Sequence, residues 1–556
     1  MRHRLKAWSV ALALPAVLLA ACGDDSSDSS ASNTPGSSAA IQTAVPTAAA
    51  TSAAATDVDP AGVLKLGSDL RANQTITQLD PAKAVSPATN SHIFIYDTLL
   101  HWQVDGTYKP GLATGATVVD PQTIKVDLRP NLKFTDGTVL DATAAKFSIE
   151  RTAAYQKSNP GALAVELNEL DNVSVESPTQ FTIHLKTPIA GVYYNFLGRG
   201  ETMVVSPTAA KAADAADPKV GLNNKPVGAG AFKLESYTPE QSMRLVKNPD
   251  YYDAANVKVA AVEWTNLTAD IAAQVNAIRS GAVDALDSSS FTTVQQLAGA
   301  AGIKTQSVQS DSILLWGQIC KNRAPFDNVK VRQAFNYAID RPALSQAMYG
   351  GATEPQWGFW SSKSMYFVPE LKDYYKRDVA KAKQLLAEAG YPNGLKIPFF
   401  ITAGDSQKAS EIVQAQVKEA GIDLDLAITN NVLEDFFRTD FNPKREGQIF
   451  TLQRAGLDKV TRNLVPGSIG DICNWNDPGL NAAVAKVRAV QDGSQAAKDA
   501  WKELQTVALR DAMNIFGIFG VANNAWNEAR IGNVQFMSNA LALPYLDARQ
   551  IYIKKK

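Results

Sequence analysis

From Val63 to the C-terminus the hydrophobic period of this chain switches repeatedly between two and 3.6 residues, and that alternation confines it to a mixed α/β architecture. Strands show as apolar residues at every second position: Ile124, Val126 and Leu128, then Phe181, Ile183 and Leu185, then Ile422, Leu424, Leu426 and Ile428. Helices show as stripes. Asp327 fits the N-cap of a helix whose apolar residues Val331, Ala334, Phe335, Ala338 and Ile339 fall on one face. Asp378 is the expected cap of a second helix over 379–389, with Val379, Ala382, Leu385, Leu386 and Ala389 inward and Gly390 as its left-handed stop. Ser406 to Gly421 repeats that plan. The order helix, strand, helix, strand from 379 to 428 is that of an α/β lobe, and 556 residues suffice for several cores. No internal repeat and no low-complexity linker follows residue 62, so the lobes must be joined by short crossings.

The N-terminus sets the compartment. Met1 to Ala21 has the basic start, uncharged core (Ala7 to Ala20) and small-residue end of a secretion signal. The core is too short to span a bilayer and carries Pro15. Leu19-Ala20-Ala21-Cys22 resembles the lipobox of bacterial lipoproteins, which implies a lipid on Cys22. Residues 22–61 hold 24 Ala, Ser or Thr out of 40, five Asp and no basic or aromatic residue, a composition that cannot bury a core and reads as a disordered tether. No second span follows: Ala512 to Asn527 is uncharged but interrupted by Asn514, Asn523 and Asn524, and reads as a buried strand region. Without the leader, 51 basic residues face 55 acidic ones and no basic stripe appears, so nucleic acid is not an expected partner.

Residues for catalysis are scarce. Only His92, His101 and His184 follow the leader, with no His-Glu-x-x-His pattern and no Gly-x-Ser-x-Gly elbow. His184 falls on the solvent side of its strand, and His92 and His101 match no metal spacing, so no metal and no cofactor is expected. Gly228-Ala229-Gly230 lacks the rest of a phosphate loop. A secreted hydrolase using two converging carboxylates stays open as an alternative. Cys320 and Cys473 form one possible disulfide in an oxidising compartment, or stand as two buried thiols.

Nine segments, in order, resemble the extracellular solute-binding proteins of bacterial ABC importers, family 5, the peptide and nickel group. They are LDPAKAVSPATN (79–90), IYDTLLHW (95–102), DGTYKPGLAT (105–114), LRPNLKFTDGTVLDATAAKFSIERT (128–152), PVGAGAFKLESY (226–237), NPDYYD (248–253), IRSGAVDAL (278–286), APFDNVKVRQAFNYAIDRPAL (324–344) and AKAKQLLAEAGYPNG (380–394). Each has a local reading as a turn or a capped helix, and these motifs are mainly scaffold. The resemblance implies a two-lobed type II periplasmic-binding-protein-like clamp with an additional inserted domain. Lobe I would combine 62–97, 226–312 and 525–556; the insert would be 98–225 and lobe II 313–524. It further implies a monomer outside the cytoplasm, held to the cell membrane by the lipid, that captures a peptide or similar small organic solute and hands it to an ABC permease and its ATPase.

The same resemblance points to cleft residues. Val85, Ser86 and Thr89 match a cleft-facing loop of lobe I. Trp316, Trp357, Phe359, Trp360 and Trp475 supply rings in the loops of lobe II that could stack on a planar or apolar ligand. Arg454, Gly456 and Asp458 match the stretch in which peptide binders place a carboxylate for the ligand ammonium. Here Leu457 follows the glycine where oligopeptide binders usually carry an aromatic residue, and the usual later Asp with its Pro is absent. A non-peptide solute, such as an aromatic compound, a glycoside or a nickel chelate, therefore stays open beside a peptide.

Overall fold

Ten strands build the central sheet; strands whose apolar residues run unbroken are buried on both faces, and strands whose apolar residues alternate bury one. The structure is a computed structural model, and it describes residues 57–68, 78–84, 90–104, 107–158, 165–239, 241–267, 270–402, 405–429, 448–454, 464–465, 476–538 and 544–555. The strands are β1 (Val63–Ser68), β2 (Phe232–Thr238), β3 (Ser242–Lys247), β4 (Ala261–Asn266), β5 (Ala285–Ser289), β6 (Ile303–Gln318), β7 (Leu395–Thr402), β8 (Ile422–Thr429), β9 (Gln448–Arg454) and β10 (Ile515–Asn527). Their order across the sheet is β2-β3-β4-β1-β5-β10-β6-β9-β7-β8. Strand β1 runs parallel to β4 and β5, and β7 parallel to β8 and β9. The long strands β6 and β10 are antiparallel and join these two parallel groups.

A separate four-stranded antiparallel sheet is formed by residues 113–120, 123–128, 180–185 and 170–177, in that order. Ile124, Val126, Leu128, Phe181, Ile183 and Leu185 are all buried beneath it, as their spacing predicts. Beside it lies α1 (Ala190–Phe196), buried along its whole length. The later helices are α2 (Val329–Ala338), α3 (Val379–Glu388), α4 (Asp405–Lys418), α5 (Pro478–Ala489) and α6 (Gln495–Arg510). Asp378 caps α3 by accepting from the Lys381 N–H at 2.8 Å, and Gly390 adopts φ +93°.

Three expectations shift in detail. The cap of α2 is Asn328, which accepts from the Lys330 N–H, because the Asp327 N–H is still held by the Arg323 carbonyl in the preceding turn. On β8, Ile422 and Leu424 are buried in one cluster with Val413 and Val417 of α4, while Ile428 lies outside that cluster and is 51% exposed. The tether expected over 22–61 ends earlier: the Asp57 carbonyl accepts from Lys555 and the Asp59 N–H donates to Ile553, so residues 57–61 already pair with the C-terminal segment.

Two buried ionic clusters pin residues 98–225 to the group around β1. Asp80 accepts from Arg151 at 2.9 and 2.6 Å, and Arg151 also binds Asp214, which takes the Lys83 ammonium. Asp97, held at φ +60°, pairs with His101 at 2.6 Å and accepts from the Tyr251 hydroxyl, with Arg549 at 3.4 Å. Burial alone would raise the Asp97 carboxyl; His101, Arg549 and the Thr98 N–H outweigh it and hold it below the usual range.

Candidate functional site

The geometry of a site begins where β6 and β10 lose register. Residues from Ile303 to Ser310 pair with Asn527 back to Gly520, after which Leu314 pairs with Phe519, so residues 311–313 have no counterpart on β10. An insertion of that kind bends a strand and increases its twist. Below the bulge β10 also pairs with β5; from Ile313 onward β6 pairs with β9.

The bulge is the meeting point of the two parallel groups. The carboxyl end of β5, Ser289, lies opposite Asn523 on β10, and the carboxyl end of β9, Arg454, lies opposite Ile313 within the bulge. In α/β sheets, ligands bind in the crevice outside the carboxyl ends of parallel strands, where the strand order reverses. Here the two groups bring such ends to one kink from opposite sides. Residues 69–77, 430–447 and 455–463, which continue from β1, β8 and β9, lie outside the described residues.

Polar side chains surround the kink. The Ser307 hydroxyl donates to Asn523 Oδ1 at 2.6 Å, and the Ser289 hydroxyl donates to the Asn523 carbonyl at 3.1 Å. Gln309 Oε1 accepts from the Glu354 N–H at 2.8 Å, while its Nε2 finds no acceptor among the described residues. Sequence reasoning treated Asn523 only as an interruption of an apolar stretch. Its signal was there to use, because an amide in a buried strand requires partners.

The aromatic loop after residue 353 is anchored to β10. Thr353 donates to the Phe519 carbonyl at 2.7 Å, the Phe519 N–H donates to Glu354, and Gln356 exchanges bonds with Gly517 through its backbone and its Oε1. The expected site residues within it separate. Trp357 is half-buried with the Arg341 guanidinium 5.7 Å from its ring centre. Phe359 is buried against Trp501 and Phe516, and Trp360 packs edge-on to Trp501 with ring centres 4.9 Å apart. Phe359 and Trp360 are thus occupied by core packing. Trp316 and Arg454 lie on the paired segments of β6 and β9, opposite Thr451 and Ile313. Val85, Ser86, Thr89, Gly456, Asp458, Trp475, Cys473 and Cys22 lie outside the described residues. Cys320 is buried and disulfide-bonded.

Burial pushes the Arg341 guanidinium beside Trp357 down to about 9. Burial drives His92 down to about 4, against the pull of Asp80, and His184 hydrogen-bonds Ser174 across its strand pair. Among the described residues no group of three or more His, Cys, Asp or Glu is arranged to hold a metal, and no helix is long and apolar enough to cross a membrane.

Comparison with known proteins gives consistent matches. The family model described as bacterial extracellular solute-binding proteins, family 5 Middle, matches residues 107–454. The glutathione-binding protein GsiB of Salmonella paratyphi A is 29% identical over 378 residues, which is 66% of this chain and 69% of GsiB. The periplasmic binding protein DppA of Helicobacter pylori, solved with the peptide STSA, superposes with a TM-score of 0.72 at 20% identity, covering 89% of this chain and 98% of DppA. AgaA of A. tumefaciens R10, solved with agropinic acid, gives 0.68 at 22% identity, covering 89% and 99%.

Proposed function

The chain belongs to the bacterial extracellular solute-binding proteins of family 5, and from that membership we propose that it is a lipid-anchored receptor which captures a peptide or similar small organic solute by lobe closure and delivers it to an ABC permease. Its fold is that of the type II periplasmic binding proteins, and it is a binding protein, not an enzyme. The observation that carries the proposal is the convergence of the carboxyl ends of β5 and β9 on the register break between β6 and β10.

In this reading, lobe I comprises 62–97, 226–312 and 525–556, the insert 98–225, and lobe II 313–524. The break is the hinge. A solute touching both lobes only when they close stabilises the closed state by its differential affinity, and the permease distinguishes that state from the open one. No bond in the solute is made or broken. Trp357, the half-buried ring of its loop, and Gln309 Nε2 line the crevice, Asp458 is the anchor for a solute ammonium, and Cys320 is bonded to Cys473 within lobe II. The receptor acts as a monomer on the outer side of the cytoplasmic membrane or in the periplasm, with the segment before residue 57 as its leash.

A non-peptide solute is the second reading. Leu457 and the missing downstream Pro favour it, as does the structural likeness to a protein solved with agropinic acid. Calorimetric titration with glutathione, a mixed tri- and tetrapeptide library and agropinic acid separates the two. Stoichiometric binding of a peptide, recovered unchanged, supports the first; binding of agropinic acid alone supports the second, and turnover of any of them contradicts both. Mass spectrometry of the native protein tests the anchor, and an unmodified Cys22 would remove it.

A further inference from the structure

The inserted residues 98–225 touch the chain at two places of different character. Their attachment to the β1 group runs through the buried Asp80, Arg151 and Asp214 cluster and through Asp97 and His101. Their second contact is with the turn between α5 and α6. Gly191 in α1 lies against the last turn of α5: a Cβ there would run into the Val490 carbonyl oxygen and sit 3.0 Å from that of Arg488. The Val118 N–H donates to Gln491 Oε1 at 3.2 Å. The Tyr366 hydroxyl donates to Asp492, and the same carboxylate acts on Tyr108 and Tyr194 of the insert, raising both hydroxyls further than their burial does.

Helices α5 and α6 are held by the other strand group. The Arg332 guanidinium donates to the Asp511 carbonyl at 2.8 Å and the Tyr375 hydroxyl to the Leu509 carbonyl at 2.5 Å, both just past or at the end of α6. The two strand groups meet in the central sheet only through β6 and β10, at the register break, among the described residues. Any rotation at that break must change the contact between α1 and the turn after α5. That contact is glycine-tight, its apolar part is continuous with the buried faces of α1, α5 and α6, and its edge carries phenol and carboxylate groups that water can solvate when it parts.

We propose that the contact of Gly191, Val118, Tyr108 and Tyr194 with residues 490–493 is a closure latch: the insert, fixed to the first lobe, receives the α5–α6 turn of the second lobe when the clamp shuts and releases it when the clamp opens. The proposal rests on the reading of the chain as a closing clamp. Burial raises Asp492 from its ordinary value to about 6, against the Tyr366 hydrogen bond and the Gly493 N–H. Tyr366, Tyr108 and Tyr194 are the titratable groups facing it, with Arg199 beyond Tyr108. A carboxyl that titrates higher in the latched state binds protons there that it loses on opening. The latch is therefore firmest below about pH 4, weakens as pH rises to about 6 and is constant above it.

The test needs no solute. Small-angle scattering of the full chain at about pH 4.5 and about pH 7 is compared for the wild type, Gly191→Leu, Tyr366→Phe and Asp492→Asn, each with its thermal transition recorded. The latch predicts a larger radius of gyration for Gly191→Leu at both pH values with a cooperative transition retained. It also predicts an open-to-closed ratio in the wild type that rises about tenfold to a hundredfold between the two pH values, and a much smaller rise in Asp492→Asn. Tyr366→Phe opens the molecule at the higher pH. If Gly191→Leu does not fold, the two polar variants decide. Equal radii in folded variants at both pH values would overturn the latch. A solute that binds and closes the wild type despite that result would leave the clamp reading standing, so the two failures are distinguishable.

Discussion

Trp357 and Phe359 stand two residues apart and meet opposite surroundings. The Phe359 ring is enclosed by Trp501 and Phe516, whereas Trp357 keeps part of its surface and has the buried Arg341 beside it. Phe359→Ala is expected to cost about 3–5 kcal/mol in denaturant unfolding, as large buried rings do. Trp357→Ala is expected to cost under about 1.5 kcal/mol but to weaken solute binding at least tenfold by calorimetry. A stable Phe359→Ala protein would contradict the packing. Asp97 gives the pH dependence. Its carboxyl is held low, so its contribution is complete above the ordinary carboxylate value and is lost as pH falls through the lower folded value. Asp97→Asn, which suits the left-handed backbone at φ +60°, should lower stability at pH 7 by about 3 kcal/mol and flatten the acid limb of the stability curve.

Among the elements, β6 and β10 join the two parallel groups of strands. Gly317 on β6 faces Ile515 and Phe399, and a Cβ there would lie 3.0 Å from Ile515 and 3.3 Å from Phe399. Gly317→Val is expected to cost about 1–3 kcal/mol by overpacking this crossing, read as a lowered denaturation midpoint. Ser307→Ala leaves Asn523 Oδ1 without its donor and should cost about 1–3 kcal/mol. Elements with a clean period were legible in advance: the 123–128 and 180–185 strands and α3 with its Asp378 cap follow from alternation and spacing alone. The register break was not, because no single residue marks residues 311–313 as lacking a counterpart on β10; it arises from the partner strand. For the same reason the aromatic run Trp357 to Trp360 could be recognised as a group, while which of its rings are enclosed depends on Trp501 and Phe516, over 130 residues away.

For the whole molecule, the sheet order sets β10, near the C-terminus, between β5 and β6, with only β5 separating it from the N-terminal β1. Two parallel groups are joined by two antiparallel strands, and bending at that join is the motion the proposed clamp requires. Thiol titration of denatured, unreduced protein should find no free sulfhydryl at Cys320. The most direct test of closure around an unchanged solute is small-angle scattering of the full chain, with and without whichever compound of the panel binds stoichiometrically. A radius of gyration that falls on saturation and recovers on dialysis, with the solute returned intact, is the predicted result; an unchanged radius at full occupancy would contradict it.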